Sequence, residues 1–456
     1  MQSSLYYDKK TFYSVMLALA IPIALQNLIS LSLNMIDTVM IGSYGETAVA
    51  AVGIGNRVYF FFAIIIFGIY SGMSVFTAQY WGNKDLKNVK NMLGMELVLG
   101  AGVAFVFLVA ASTFPGKLIS FFIKDTAVIE LGSRYLRIVA YSYFFTAVSF
   151  AVSFTMRSVG SVKIPLLINA NCVLINTLLN YIWIFGHLGF EPMGVEGAAR
   201  ATLVARVVEC ICFLLYLTKR KNNILAFQAK DLFCWTKKML RQKLKIALPV
   251  MMNEMIWSLG MTITYVAYGL LGASAVAAVQ VSMTVLGVFE AAFFGIGNAC
   301  AVMLGNEMGR ENYALTEKYA QKYIMVMLIF GIVMGSLLIL LRKPVVGFFD
   351  LEAATIQSIY NILFVLGAYI PLSMLSYLLL IGILRAGGDI KFCMVLELIT
   401  IWGYAVPVAF FAAAVLRLPI HWVMALTFAE HGIKLIFLIP RYKTKKWIKN
   451  LVKGTF

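Results

Sequence analysis

The sequence predicts an all-α polytopic membrane protein, twelve transmembrane helices in two homologous six-helix lobes, and three observations carry that prediction. The 456 residues are 61% hydrophobic and only 13% charged, with mean hydropathy +0.86, where soluble domains are about a quarter charged. Apolar runs long enough to cross a hydrocarbon core of roughly 30 Å as helices recur along the whole chain. Finally, a shift of 227 positions lays the first such run on a second copy. Between residues 17 and 84 it yields about twenty identities in sixty-eight positions, with Pro22 on Pro249, Gly42 on Gly269, Gly45 on Gly272, residues 48–52 on 275–279 and Gly68 on Gly295. Shared apolar composition does not reproduce helix-shaping prolines and glycines at matching places, so the chain is an internal repeat.

Hydropathy places the helices at 14–42, 52–80, 92–114, 132–156, 164–186, 193–217, 244–272, 277–304, 318–341, 357–384, 392–415 and 419–440. An even number returns both ends to one side of the bilayer. Alternate loops and both tails hold 27 Lys and Arg, and the opposite loops hold five, Lys117, Lys124, Arg342, Lys343 and Arg417. That asymmetry predicts cytoplasmic termini in a plasma-membrane protein, and both repeats then start on the same face as parallel repeats. The net charge of +17 is thereby a topology signal and not a footprint for nucleic acid. The first apolar segment is too long for a cleaved signal peptide and is counted by the repeat. The expected division is an N-terminal lobe at 1–217, a basic linker at 218–243 lying against anionic lipid, a C-terminal lobe at 244–440 and a basic tail at 441–456. In the tail, Trp447, Ile448 and Leu451 alternate with lysines, which predicts a short interfacial helix.

The first helix carries the strongest chemical signal. Asn27, Ser30, Asn34 and Asp37 follow at steps of three, four and three, one polar stripe on an apolar helix. An acid at bilayer depth costs about 2.5–3.5 kcal/mol on insertion scales and is kept where it has a use. On the fifth helix Asn169, Asn176 and Asn180 share a face. A carboxylate facing amides can hold a proton or ligate Na⁺, so Asp37, Asn176 and Asn180 are the expected cation-coupling residues of the first lobe. In the second repeat Glu254 stands at the position of Asn27, and Trp257, Met261 and Thr264 continue its face. Glu254 is assigned to coupling. Asn27, Ser30, Asn34, Trp257, Met261, Thr264 and Glu290 are assigned to a substrate cavity, and Pro22 and Pro249 are expected helix bends.

Other polar residues receive blander readings. Glu209 with Arg206 and Glu430 with Lys434 read as ion pairs within a helix. Glu96 and Glu397 read as interfacial. The matched motifs beginning at Met156 and Leu384 place Arg157 and Arg385 as interfacial anchors. The six cysteines follow no metal-ligand spacing and read as buried small hydrophobes. No HExxH, P-loop or GxSxG motif is present, so neither an enzyme nor a resident cofactor is expected.

In combination, IP at Ile21, DTVMIG at Asp37, GETAVAAVG, QYWGNKD, RSVG, RAGGD, LLNYIWIFG and GVEGAA resemble the multidrug and toxic-compound extrusion (MATE) family across nearly the whole chain. The resemblance implies a monomeric exporter of cationic amphipathic drugs or metabolites driven by H⁺ or Na⁺, with two lobes alternating between outward- and inward-open states. It makes Asp37 the coupling acid, with Na⁺ as the one metal option there, and Pro22 the place where its helix bends. Two positions depart from family patterns. Asn180 stands where some branches have aspartate, and Trp257 where others have glutamate. The rival within transporters is a lipid-linked oligosaccharide flippase of the same superfamily, whose cavities are strongly cationic.

Overall fold

The computed structural model describes residues 9–218, 225–347 and 352–453, without the side chains of Lys9, Leu33, Asn34, Ala229 and Val345. Asn34, one of the expected cavity residues, therefore has its side chain outside the described residues. The first repeat contains α1 (Lys9–Gly42), α2 (Glu46–Gly82), α3 (Leu86–Thr113), the short α4 (Pro115–Ser120), α5 (Thr126–Val139), α6 (Ser142–Ser158), α7 (Lys163–Phe185) and α8 (Gly194–Thr218). The second contains α9 (Lys237–Gly269), α10 (Ala273–Gly309), α11 (Tyr313–Val346), α12 (Ala353–Tyr377), α13 (Ile390–Glu397), α14 (Val406–Phe410), α15 (Ile420–Phe428) and α16 (Glu430–Lys443). Among the described residues eleven helical spans are long and apolar enough to cross a membrane, and α5 with α6, bent by 51° at their junction, makes a twelfth. The helix expected at 132–156 is thus a broken span.

Two more spans depart from plain α-helix. After α12 the chain winds as π-helix over Leu378–Arg385, and after α13 over Leu398–Ala405. Such local unwinding concentrates where side chains must be re-aimed. Arg385 ends the first π segment and Glu397 immediately precedes the second.

Glycine opens the second helix of each repeat. Gly45 before α2 has φ +92° and Gly272 before α10 has φ +97°. A Cβ at either would meet open space, so it is the left-handed backbone, not crowding, that calls for glycine there.

The helices form two compact units, residues 25–251 and residues 1–24 together with 252–456. Both boundaries fall inside a helix, two residues past a proline: Ala24 follows Pro22 and Met251 follows Pro249. Each unit thus includes the opening segment of the other repeat's first helix. In the first unit a Cβ on Gly68 or Gly72 would collide with the α9 backbone at Met251 and Ala247. In the second, a Cβ on Gly295 would collide with Ala20 and Ala24 of α1. Gly68 and Gly295 are repeat counterparts, so the same small-residue contact seats a borrowed segment in each unit.

The basic linker does not lie wholly at a lipid surface. Residues 229–233 make a 3₁₀ turn, closed by a capping box between Gln228 and Asp231, and the Asp231 and Leu232 carbonyls pack against Gly94 of α3. Lys243 is fully buried, its Nζ 4.0 Å from the Phe76 ring and 5.0 Å from that of Tyr80. The tail also departs from expectation. It is not a helix after Lys443, because Trp447 is drawn into the protein, stacking at 5.8 Å on Tyr442 and lying against Gly387. Arg441 binds both carboxylate oxygens of Asp389, at 2.6 and 2.9 Å, and Lys453 pairs with Glu311 at 2.8 Å. The cysteine reading holds for Cys172, Cys210, Cys300 and Cys393, whereas Cys212 and Cys234 are exposed.

Candidate ion-coupling site

In the 25–251 unit, α1, α7 and α8 bring the predicted acid and amides together. Asn180 lies on α7 one turn after Asn176, and both are buried. The Asn180 amide nitrogen donates to Asp37 Oδ1 at 2.5 Å and to Asn176 Oδ1 at 3.1 Å. Asn176 in turn donates to Thr202 Oγ1 on α8 at 3.4 Å. The carboxylate therefore ends a chain of polar groups crossing three helices. The Asn180 carbonyl oxygen is buried without a hydrogen-bond partner. Carboxylate and amide oxygens are the groups a proton or a hard cation takes, so the residues present fit either one once the Asn180 amide turns its oxygen to Asp37.

The rest of the α1 stripe is more open. Asn27 is half-buried, and Ser30 is exposed, its hydroxyl turned onto its own helix at Gln26 O. Asn169, the third amide on the face, is 3.5 Å from Glu209, which Arg206 holds at 2.8 Å. The Arg206–Glu209 pair is as expected. Arg206 also lies within electrostatic reach of Asp37. Glu96 corrects the interfacial reading: it is fully buried and accepts from the Thr155 hydroxyl at 2.9 Å.

The second unit is built differently. Glu254 on α9 is ion-paired with Arg385, which is 3% exposed. Its repeat counterpart Arg157 reaches α1, donating to Gln26 Oε1 at 2.5 Å. Both arginines turn inward to tie the end of a span to a first helix of a repeat, which corrects their reading as interfacial anchors. Glu397 is likewise buried, 3.4 Å from Lys434, because the long lysine stem reaches it from α16. Lys434 also holds Glu430 at 3.3 Å, the pair expected from spacing.

Of the remaining assigned residues, Trp257 is exposed, Met261 half-buried and Thr264 buried, with its hydroxyl spent on Gly260 O at 2.9 Å. Glu290 is half-buried on α10 and, like Glu254, acts electrostatically on Tyr377. Pro22 and Pro249 both sit inside unbroken helices. Each removes one helical hydrogen bond, to the carbonyls of Ala18 and Lys245, just before the unit boundary. Among the described residues no group of three or more His, Cys, Asp or Glu could hold a metal ion. Sequence reasoning missed Thr202, Gln26 and the Glu397–Lys434 contact. The matched arginine motif at Arg157 pointed toward Gln26 alone.

Known proteins align with this description over almost the full chain. The family model MatE matches residues 22–182 and 249–411. The uncharacterized transporter YisQ of Bacillus subtilis is 23% identical over 97% of this chain and 96% of its own length. A probable multidrug resistance protein NorM of Thermotoga maritima is 24% identical over 96% and 93%. Among solved structures, a MATE protein in a bent conformation matches with TM-score 0.86 at 19% identity, covering 97% of both chains. A MOP-superfamily transporter from Pyrococcus furiosus, for which a reversed pocket polarity is taken to suggest a different function, matches with TM-score 0.85, also at 19% identity and 97% of both. Twelve candidate spans, a twofold repeat and a family model covering both repeats lead to one conclusion: this chain is a member of the MATE family of efflux transporters, multi-pass proteins of the membrane.

Proposed function

We propose that the protein is a secondary active antiporter that exports cationic, amphipathic drugs or metabolites in exchange for H⁺ or Na⁺, with Asp37 as the coupling acid. The observation that carries this reading is the hydrogen bond from Asn180 to Asp37 beside the unpartnered Asn180 carbonyl. With Asp37 ionised, the amide presents its N–H and stabilises the charge. When Asp37 is protonated or faces Na⁺, turning the amide presents the spare oxygen instead. Because the same nitrogen also donates to Asn176, loading and unloading the acid re-orders the contact between α1 and α7 and passes the change along α7 to Asn176 and on to Thr202. Pro22, fifteen residues earlier on α1, leaves that helix one backbone hydrogen bond short, and this is where α1 bends as Asp37 changes state.

Asn27, Ser30, Asn34, Trp257, Met261, Thr264 and Glu290 contribute to cargo binding in this reading, and Glu254 assists coupling. Acids, amides and aromatic or thioether side chains suit an organic cation. The flippase alternative needs cationic groups for a pyrophosphate, and the stripes on α1 and α9 supply acids and amides instead. Fold alone does not choose the cargo. The protein works as a monomer in the plasma membrane, with both termini cytoplasmic as the lysine and arginine distribution requires. No cofactor takes part beyond the coupling ion.

The test is uptake of a fluorescent organic cation by proteoliposomes under an imposed pH or Na⁺ gradient. One of the two gradients drives uptake in the wild type, and Asp37→Asn abolishes it. Equal transport by wild type and Asp37→Asn removes Asp37 from the coupling role, and failure of both gradients removes the antiporter.

A further inference from the structure

The unit formed by residues 1–24 and 252–456 contains a buried ionic cluster that the proposed transport cycle does not use. Lys434 Nζ lies 3.3 Å from Glu430 Oε1 and 3.4 Å from Glu397 Oε1. All three residues are more than nine-tenths buried, at 3%, 8% and 7% exposure. Two carboxylates share one ammonium, and Glu430 Oε2 is buried with no partner. Two ionised carboxylates in such a site leave one negative charge with nothing to offset it, and like-charged acids at close range retain a proton between them.

Neighbouring elements do not supply the missing charge. On α12, Ser376 Oγ is 3.1 Å from His431 Nδ1, and His431 Nε2 is 3.9 Å from Glu430 Oε1. Tyr268 of α9 and Tyr404 of the π segment after α13 are within electrostatic reach of Glu430, and both are neutral phenols. Arg385 is within reach of Glu397 but is already paired with Glu254, which feels Glu397 in turn. The cluster therefore keeps two acids for one cation even with its surroundings counted.

We propose that Glu397, Glu430 and Lys434 form a proton-binding site of their own, separate from Asp37, that holds one proton on the carboxylate pair and exchanges it through His431. In the loaded state the two carboxyl groups share one proton and Lys434 offsets the remaining negative charge, Glu430 Oε2 being the oxygen to which the protein offers no donor. His431 has one-fifth of its side chain exposed and its Nε2 3.9 Å from Glu430 Oε1. It accepts that proton at Nε2 as the Glu430 carboxyl turns toward it, while Nδ1 stays on Ser376, and then releases it outward, leaving the cluster with one net negative charge. An unused donor within electrostatic reach of Glu397 is on Arg385, whose Nη1 is buried without a partner. Unloading thus draws Arg385 toward Glu397 and weakens its hold on Glu254. A proton bound between α13 and α16 is in this way linked to α9, the helix that carries Pro249.

The experiment uses full-length protein in lipid nanodiscs with Asp37→Asn as background, so that the site in the other unit is silent. Proton uptake after an acid jump is read with an indicator dye, alongside the infrared carbonyl band of protonated carboxyl groups. Glu430→Gln and Glu397→Gln, added singly, should each remove one proton of uptake per chain and one carboxyl band. The double variant should lose no more of that band than either single, because the two acids share one proton. Unchanged uptake and band in both singles overturns the proposal, as does a double variant that loses twice as much. Should Glu430→Gln fail to fold, Glu397→Gln makes the same measurement. Because the count is made without cargo, normal transport by Asp37→Asn would remove Asp37 from the coupling role, and failure of both gradients would remove the antiporter, while either result leaves this site standing.

Discussion

Residue 27 is an asparagine, and residue 254, its counterpart 227 positions later, is a glutamate paired with a buried arginine. Ten residues beyond Asn27 the first repeat places Asp37 among amides, whereas ten beyond Glu254 the second has Thr264, its hydroxyl spent on its own helix. Both units tie a first helix to a distant arginine. In one the acceptor is the amide of Gln26, and in the other it is the carboxylate group of Glu254. The difference separates two jobs. An acid among amides can gain or lose a cation at modest cost, because amides serve either state. An acid paired with a buried guanidinium does so only at greater cost, because neutralising it strands the partner, so Glu254 assists where Asp37 leads.

The largest expected effect sets the two acids against each other. Asp37→Asn should abolish gradient-driven transport while leaving thermal stability nearly unchanged, since an amide still pairs with Asn180. Glu254→Gln should weaken transport without abolishing it and cost about 3–5 kcal/mol of stability by stranding Arg385, seen as a lowered melting temperature of the purified protein. Gln26→Leu, the matched change in the other unit, removes only a neutral acceptor from Arg157 and should cost about 1.5–3 kcal/mol. Equal losses for Glu254→Gln and Gln26→Leu would dissolve the distinction between the units.

Gly68→Ala and Gly295→Ala sharpen the part of the comparison where the units agree. Each added methyl meets backbone of the borrowed helix segment, so both should destabilise by about 1–3 kcal/mol and by similar amounts. A large inequality in melting temperature would show that the two seats are not equivalent. The smallest effect belongs to the surface. Lys453→Ala breaks an exposed pair with Glu311 and should lower the melting temperature only marginally at low salt and not at all at high salt.

Much of the site was legible because its signals are local. Steps of three and four put Asp37 on a stripe and Asn176 and Asn180 on a face, and a bilayer makes any such polar residue conspicuous. Arg206 with Glu209 and Lys434 with Glu430 follow from spacing within one helix. Contacts between helices were not legible in this way. Arg157 and Arg385 looked like anchors because they lie near loop ends, yet long guanidinium stems carry the charge inward to α1 and α9. Glu96 and Glu397 looked interfacial for the same reason, and only packing against Thr155 and Lys434 shows them buried. The tail pattern of aromatics among lysines suited an interfacial helix until Gly387 provided room for Trp447.

By itself the sequence determined that the chain is helical, spans a membrane twelve times and repeats itself, because hydrophobic length and an internal period are properties of residue order alone. Tertiary structure decided which polar groups meet. It gave Asp37 an amide and Glu254 an arginine, set the unit boundaries two residues past Pro22 and Pro249, and left Glu430 Oε2 and the Asn180 carbonyl without partners. The physical reason is reach: a side chain spans several ångströms in a direction set by helix packing, and no linear pattern records what stands at its far end.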